Sequence, residues 1–275
     1  MAATAPEAPV DVGVIGGIGQ RLELADDVEL DVRTPYGTPS VPVRIGTIGG
    51  RRVAYVMRRG LGDVLQPHLV PYRANIWALA SLGVSALITT TASGGLRESF
   101  APGMFVVTDQ LIDRTQGRPW TFYDEGPAVQ LAEPEPFDPT LRGLAVEALA
   151  AQHVRYRDFG TAVIIDGPRF STRAESRWYA AAGGDVVATT LMPETTLALE
   201  LGMGVVNLSF ITDSDAGSTR ADAVSVDLVR RRTAQARPVL VRAIAEIART
   251  VPVPFRPHTG VPADAVASVL ARTAV

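Results

Sequence analysis

Three segments of this chain carry residues that could together hold an anion. Gly16-Gly17-Ile18-Gly19 follows an apolar run, and a turn of this kind aims backbone N–H groups at a bound oxyanion. Its spacing is not the G-x-G-x-x-G dinucleotide fingerprint, and a glycine turn also serves simply to reverse the chain. Thr89-Thr90-Thr91-Ala92-Ser93-Gly94-Gly95 offers hydroxyls and amides; its plainer reading is a tight turn into the next segment. Arg58-Arg59 would supply positive charge in the forked geometry that suits phosphate, although a double arginine also stands as a solvated strand edge. What joins the three is position. Each lies at the end of a predicted strand, where open α/β sheets bind their ligands.

The elements that would position them follow from periodicity. Residues 12–15 read as a buried strand entering the glycine turn. Residues 41–45 and 52–57 read as two strands broken by Gly49-Gly50. Residues 72–82 have helical spacing at Ile76, Leu79, Ala80 and Leu82, and Gly83 ends that helix as a C′ glycine. Residues 84–89, 105–108, 161–165 and 205–212 are strand-like. Residues 194–201 form a helix closed by Gly202, and residues 226–248 a long C-terminal helix. Strands alternating with helices predict an α/β sheet with crossover connections. Residues 113–140, rich in Pro, Gly and aromatics, read as an excursion loop. No repeat or linker divides residues 1–275, so one domain is expected, with residues 1–10 and about 251–275 as irregular termini.

Composition narrows the chemistry. The chain has 275 residues, 47% hydrophobic and 20% charged, enough to bury a sizeable core. Its net charge of −3 leaves no basic excess for a nucleic-acid backbone. Without cysteine there is no thiolate nucleophile, disulfide or Cys-ligated metal. His68, His153 and His258 are far apart in sequence, so no metal site is expected. The start MAATAPEAPVDV lacks the basic and apolar regions of a signal peptide, and no apolar run approaches the ~20 residues of a membrane span. A cytoplasmic protein with no membrane partner is expected.

Several blocks, in order, resemble one family: Val14-Ile15-Gly16-Gly17, Thr34-Pro35-Tyr36-Gly37-Thr38-Pro39-Ser40, Tyr72-Arg73-Ala74-Asn75-Ile76-Trp77-Ala78-Leu79, Asp109-Gln110-Leu111-Ile112-Asp113-Arg114-Thr115, Gly167-Pro168-Arg169-Phe170-Ser171-Thr172-Arg173-Ala174-Glu175-Ser176 and Thr212-Asp213-Ser214-Asp215. From about Asp11 to the C-terminal helix the chain is similar to the methylthioadenosine phosphorylase branch of the trimeric purine nucleoside phosphorylases. The resemblance implies a phosphorylase/hydrolase-like α/β fold: a twisted mixed central sheet flanked by helices, with a smaller barrel-like sheet beside it. It implies a homotrimeric pentosyltransferase of purine salvage, with active sites near subunit boundaries. No metal or organic cofactor is implied, and inorganic phosphate is the co-substrate. The expected reaction converts a 5′-modified, methylthioadenosine-like nucleoside and phosphate into free base and a 5-modified ribose 1-phosphate.

Carried over by position, Asp213 would serve purine N7 as the acid and Asp215 would read a 6-amino group, making both catalytic. To act as an acid near neutral pH, Asp213 needs a raised pKa, which burial can provide. Both aspartates also fit a plain turn cap after a strand. Phe170 would stack on the base and Ser171 border it. Gly17, Ile18, Arg58, Arg59, Thr91, Ala92 and Thr190 match the phosphate positions. Thr189 matches the ribose, and Val226, Val229 and Arg230 the 5′ pocket, with Gln130 from a neighbouring subunit.

The departures from the family pattern cluster. Ile18 stands where Ser or Thr is usual, Arg59 and Gln130 where His is usual, Thr189 where Met is usual, and Arg230 where an apolar residue lines the 5′ pocket. Base-side residues are retained while phosphate-side and 5′-side residues change. An alternative is therefore a specialised paralogue in a secondary-metabolite pathway, acting on another 5′-modified purine or pyrimidine nucleoside such as a 5′-amino-5′-deoxynucleoside. A nucleoside hydrolase, motivated by the hydroxyl missing at Ile18, and a non-catalytic nucleoside-binding module are the other readings.

Overall fold

The computed structural model describes residues 10–17, 22–126, 129–132, 134–215, 224–257 and 260–273. Its strands are β1 (Val12–Gly16), β2 (Ala25–Leu30), β3 (Val43–Ile48), β4 (Arg51–Met57), β5 (Ala86–Gly95), β6 (Phe105–Val107), β7 (Gln110–Asp113), β8 (Tyr156–Arg157), β9 (Thr161–Ile164), β10 (Val186–Ala188) and β11 (Gly204–Asp213). Its α-helices are α1 (Tyr72–Ser81), α2 (Pro139–Ala150), α3 (Arg173–Ala181), α4 (Leu191–Glu200), α5 (Val226–Thr250) and α6 (Ala263–Leu270).

All the strands join one mixed sheet in the order β2-β3-β4-β1-β5-β10-β9-β7, with β11 pairing β5 and β6, and β8 pairing β6. The smaller sheet expected beside the main one takes the form of branches continuous with it through β5. The β3–β4 hairpin turns on Gly49 and Gly50, whose φ values of 59° and 76° suit the right-handed twist of a two-residue hairpin.

Alternation along the central strands sorts the core into two layers. Ile15, Ala54, Val56 and Leu87 face one cluster with Ile76 and Leu79 of α1 and Leu197 of α4. Val12, Val14, Val53, Tyr55, Ile88 and Leu208 face the other, with Leu141 and Ala145 of α2 and Leu240, Ile244 and Ile247 of α5. Period-two alternation with both faces covered is what a central sheet between helices requires.

Three stretches differ from their sequence reading. Residues 89–95, read as a small-residue loop after a strand, continue β5 to Gly95, held in the ladder by β11. Residues 263–270, within the tail expected to be irregular, form α6, and its Val269 carbonyl accepts from Trp77 Nε1 at 3.1 Å. The excursion loop is anchored in the core: Phe122 and Phe137 are buried, and Glu200 accepts from Phe122 N at 2.7 Å.

Candidate active site

A fork in the sheet makes the site. β5 pairs in parallel with β1 through Thr89, then antiparallel with β10 at Gly94 and Gly95, while β11 runs along its other edge. Between Thr89 and Gly94 one edge of β5 has no strand neighbour among the described residues. The ends of β1, β4, β10 and β11 converge on that gap. A cavity of about 410 Å³ opens there, lined by Gly17, Arg58, Arg59, Thr91, Ala92, Phe170, Thr189, Thr190, Asp213, Asp215, Val226, Val229 and Arg230, among others. The residues assigned from sequence are thus brought together, with three exceptions. Ile18 lies outside the described residues. Ser171 is buried beside the cavity, its hydroxyl without a hydrogen-bond partner, but does not line it. Gln130 is exposed and away from the lining of its own protomer's cavity.

Arg58 is not a solvated strand edge. It is 1% exposed. Its Nε and Nη2 donate to Glu194 Oε2 and Oε1 at 2.6 and 2.7 Å, Nη1 to Thr90 O at 2.9 Å and Nη2 to Ile15 O at 3.5 Å. Of five N–H groups, four have acceptors among the described residues. The remaining one belongs to Nη1, which lies so close to Gly17 that a Cβ there would sit 2.8 Å from it. Burial by itself disfavours the charged form, and the Glu194 carboxylate outweighs it, so the pKa of Arg58 is raised.

Other phosphate-side donors are partly committed. Gly17 N donates to Thr90 Oγ1 at 3.1 Å, so that amide is not the free anion donor the glycine turn suggested. The Thr91 hydroxyl donates to Asn207 Oδ1 or Ser209 Oγ at 3.2 and 3.1 Å, so its proton is committed although the residue lines the cavity. Thr190, at the N-cap of α4, makes no capping hydrogen bond. Met192 is extended, with φ −113° and ψ 135°, so the regular turns of α4 begin after it and Thr190 contributes its hydroxyl to the cavity wall without a helix end behind it. Arg59 donates only to the neutral carbonyls of Leu65 and Asp63, at 2.7 and 3.4 Å. No carboxylate pairs with it among the described residues, so it brings uncompensated positive charge.

The other wall is acidic. Asp213 ends β11 at a register shift opposite Gly94 and is 4% exposed. Its Oδ2 accepts from Thr212 Oγ1 at 2.7 Å and its Oδ1 from Asp215 N at 2.8 Å. Burial pushes its pKa up to about 6; the hydrogen bonds from Thr212 and Asp215 oppose the rise and the Asp215 charge adds to it. Asp215 takes the left-handed conformation, φ 47°, which Asp tolerates better than most residues, and Ser176 of α3 hydrogen-bonds its Oδ2. A plain turn cap would not need two buried carboxyl groups lining a cavity.

Sequence reading missed Glu194 and, in the lining, Asp63, Gln66 and Pro67; Ser93 and Gly94 belong to the small-residue segment it had singled out, and Arg169 to a block it had quoted without a role. Glu194 had a signal. An acid within Leu191-Met192-Pro193-Glu194-Thr195-Thr196-Leu197 must be buried, and a buried acid needs a cation. Among the described residues no group of His, Cys, Asp and Glu could hold a metal, and no helix is long and apolar enough to cross a membrane.

Comparison with known proteins agrees with this geometry. The family model described as the Phosphorylase superfamily matches residues 11–249. A curated S-methyl-5′-thioadenosine phosphorylase of Thermofilum pendens is 41% identical, over 88% of this chain and 93% of its own. A purine nucleoside phosphorylase of Streptomyces coelicolor is 42% identical, over 82% and 84%. Among solved structures, methylthioadenosine phosphorylase from Schistosoma mansoni in complex with adenine superposes with a TM-score of 0.83 at 34% identity, covering 87% of this chain and 90% of that one.

Proposed function

Given that this chain belongs to the Phosphorylase superfamily, we propose that its cavity binds a methylthioadenosine-like nucleoside and inorganic phosphate and transfers the pentosyl group from base to phosphate. It is a nucleoside phosphorylase, as its curated relatives are. One observation carries the assignment of roles: a single cavity is lined by both an uncompensated Arg59 and a buried Asp213 whose pKa lies at about 6.

Phosphate lies against Arg59, the remaining N–H of Arg58 and the Thr190 hydroxyl, below the sugar. As the C1′–N9 bond stretches, positive charge develops on the ribosyl group and the phosphate oxygen meets it. The bonding pair leaves with the purine, and protonated Asp213 gives its proton to N7, which lowers the barrier to departure. With its pKa pushed up to about 6 by burial, Asp213 keeps part of its population protonated near neutral pH, as a general acid there requires. Asp215 accepts from a 6-amino group. Phe170, 42% exposed, provides a face for the base, with Ser171 behind it. Thr189 borders the ribose. Val226 and Val229 give a methylthio group apolar contact, and Arg230 stands at the same wall.

The reading extends to a cytoplasmic homotrimer in purine salvage, where Gln130 reaches a neighbouring subunit's cavity; its exposure and distance from its own protomer's lining support that. No cofactor is needed. The relatives do not favour a hydrolase, a binding module or a divergent 5′-substrate, and water in place of phosphate would leave Arg59 without a counter-ion. Incubating the protein with methylthioadenosine, with and without phosphate, tests the proposal. Adenine and 5-methylthioribose 1-phosphate should form only with phosphate; release of base at the same rate without it would overturn the reading.

A further inference from the structure

We propose that Arg118, which does not line the cavity, is a positioning residue that fixes three of its walls through one buried guanidinium. This rests on the phosphorylase reading for its kinetic consequence but not for its structural one.

Arg118 is 5% exposed and comes from the loop after β7, just past Gly117, whose φ of 69° turns the chain inward. Its Nη1 faces Thr189 O at 2.8 Å, Met192 O at 2.5 Å and Tyr72 Oη at 3.2 Å. Its Nη2 donates to Asp166 O at 2.8 Å and Ile165 O at 3.4 Å. The Asp166 carboxylate lies 3.4 Å from Nε. Tyr72 Oη donates onward to Pro67 O at 2.7 Å.

Pro67, Ile165 and Thr189 each line the cavity, and each belongs to a different segment. The three meet at Gly167, where a Cβ would lie 3.2 Å from Pro67 Cγ and 3.3 Å from Thr189 Cγ2. The β9–β10 ladder joins the Ile165 and Thr189 segments as far as Ile164 and Ala188, and Ile165 N still donates to Ala188 O at 2.9 Å; past that point they diverge, and no ladder among the described residues ties either to the Pro67 segment. One planar group with five donors can answer several carbonyls at fixed angles; an ammonium cannot. The Ile165–Asp166 segment leads to Phe170. The Thr189–Met192 segment carries Thr190 and begins α4, which holds Glu194 against Arg58. Loss of Arg118 would leave buried carbonyls unpaired and free both segments to shift, and a shift of about 1 Å costs ~10²-fold in rate.

The test compares Arg118→Met and Arg118→Lys with Arg44→Met. Arg44 is another buried arginine, which donates to Leu22 O at 2.8 Å and pairs with Asp27, outside the cavity lining. Steady-state phosphorolysis and amide hydrogen exchange are measured on each. Arg118→Met should lower kcat/KM for nucleoside and phosphate by ~100-fold and deprotect amides of residues 165–167 and 189–192 selectively. Arg118→Lys should fold, lose about tenfold in kcat/KM and deprotect the same segments less. Arg44→Met should leave both readouts at these segments unchanged. Wild-type kinetics, or wild-type protection of the two segments, in whichever Arg118 variants fold would overturn the proposal, as would equal kinetic loss in Arg44→Met. If the wild-type protein released no base with phosphate, the functional reading would fall, and exchange at the two segments would still decide the role of Arg118.

Discussion

Arg58 and Glu194, 136 residues apart in sequence, form a two-pronged ion pair at 2.6 and 2.7 Å in which both side chains are 1% exposed. The pair joins the end of β4 to the first turn of α4 behind the phosphate side of the cavity. It fixes the guanidinium so that the one N–H without an acceptor among the described residues belongs to Nη1, beside Gly17. Coulombic attraction at this depth roughly balances the cost of removing two charges from water, so the pair is better understood as setting geometry than as adding stability.

Removing one partner therefore harms more than removing both. Glu194→Gln should destabilise the fold by about 3–5 kcal/mol, because Arg58 is left buried without a counter-charge. The double variant Arg58→Met/Glu194→Leu should recover much of that stability and none of the activity. Chemical denaturation of both variants alongside phosphorolysis assays checks this; recovery of activity in the double variant would show that Arg58 does not act on phosphate.

The raised pKa of Asp213 has a thermodynamic consequence. The folded protein keeps the proton on this carboxyl up to about pH 6, whereas in the unfolded chain it leaves near pH 4. Between those values the native state binds more protons, so unfolding free energy falls as pH rises through that window and then levels off. The penalty above pH 6 is of order 3 kcal/mol. Asp213→Asn removes it. Its amide oxygen can accept from Asp215 N, and its amide nitrogen can donate to Thr212 Oγ1, whose own hydroxyl also has Ser93 O at 3.3 Å. The variant should be more stable than wild type at pH 8, lose that advantage toward pH 4, and turn over a purine nucleoside 10²–10⁴-fold more slowly, on the order expected for a missing proton donor. Unfolding curves at pH 4, 6 and 8 with kcat at each would show it; an unchanged difference across pH would mean that Asp213 titrates normally.

Gly94 is where β5 passes the two carboxyl groups. A Cβ there would meet Asp213 Oδ1 at 2.9 Å, Asp215 Cβ at 2.9 Å and Asp215 Cα at 3.0 Å. The last is backbone, so the strain cannot be relieved by a rotamer change alone. Gly94→Ala should push the end of β11 away, reduce kcat by ~100-fold through misplacement of the acid, and leave the KM for phosphate close to wild type. Steady-state kinetics with each substrate varied separates the two parameters; a rise confined to the phosphate KM would place the damage on the wrong wall.

The parts of this arrangement that were legible in the sequence are those governed by local chemistry. The buried strands β1, β4, β5 and β11 are apolar and β-branched, and Gly83, with φ 94°, announces the end of α1. Strand β2, Ala-Asp-Asp-Val-Glu-Leu, carries no such pattern; it is an exposed edge formed because β3 offers it a ladder. The capping pair Thr172 and Glu175, which bond reciprocally, marks the start of α3, a helix absent from the periodicity reading although the Thr-x-x-Glu signature stood in the sequence. The site residues were found by resemblance, but their state was not. Only tertiary contact shows that Arg58 is neutralised by Glu194, that the Gly17 amide is already bonded to Thr90, or that Arg118 gathers carbonyls from distant segments. A carbonyl partner leaves no trace in side-chain identity.

Arg59 separates phosphate binding from folding. It is half-buried, and among the described residues its partners are two carbonyls, the nearer being Leu65 O at 2.7 Å, so Arg59→Met forfeits about 1 kcal/mol of stability from that hydrogen bond. A charge-assisted bond to an oxyanion is stronger, about 1.5–3 kcal/mol. The KM for phosphate should rise about 10–100-fold while the KM for nucleoside stays within about twofold. Arg230, exposed on the same cavity, has water to replace its partners, so Arg230→Met should leave the phosphate KM nearly unchanged. The two variants, assayed over a phosphate series at fixed nucleoside, locate the anion. If Arg230→Met gave the larger rise, phosphate would sit at the α5 side of the cavity and the orientation of nucleoside and phosphate drawn above would have to be reversed.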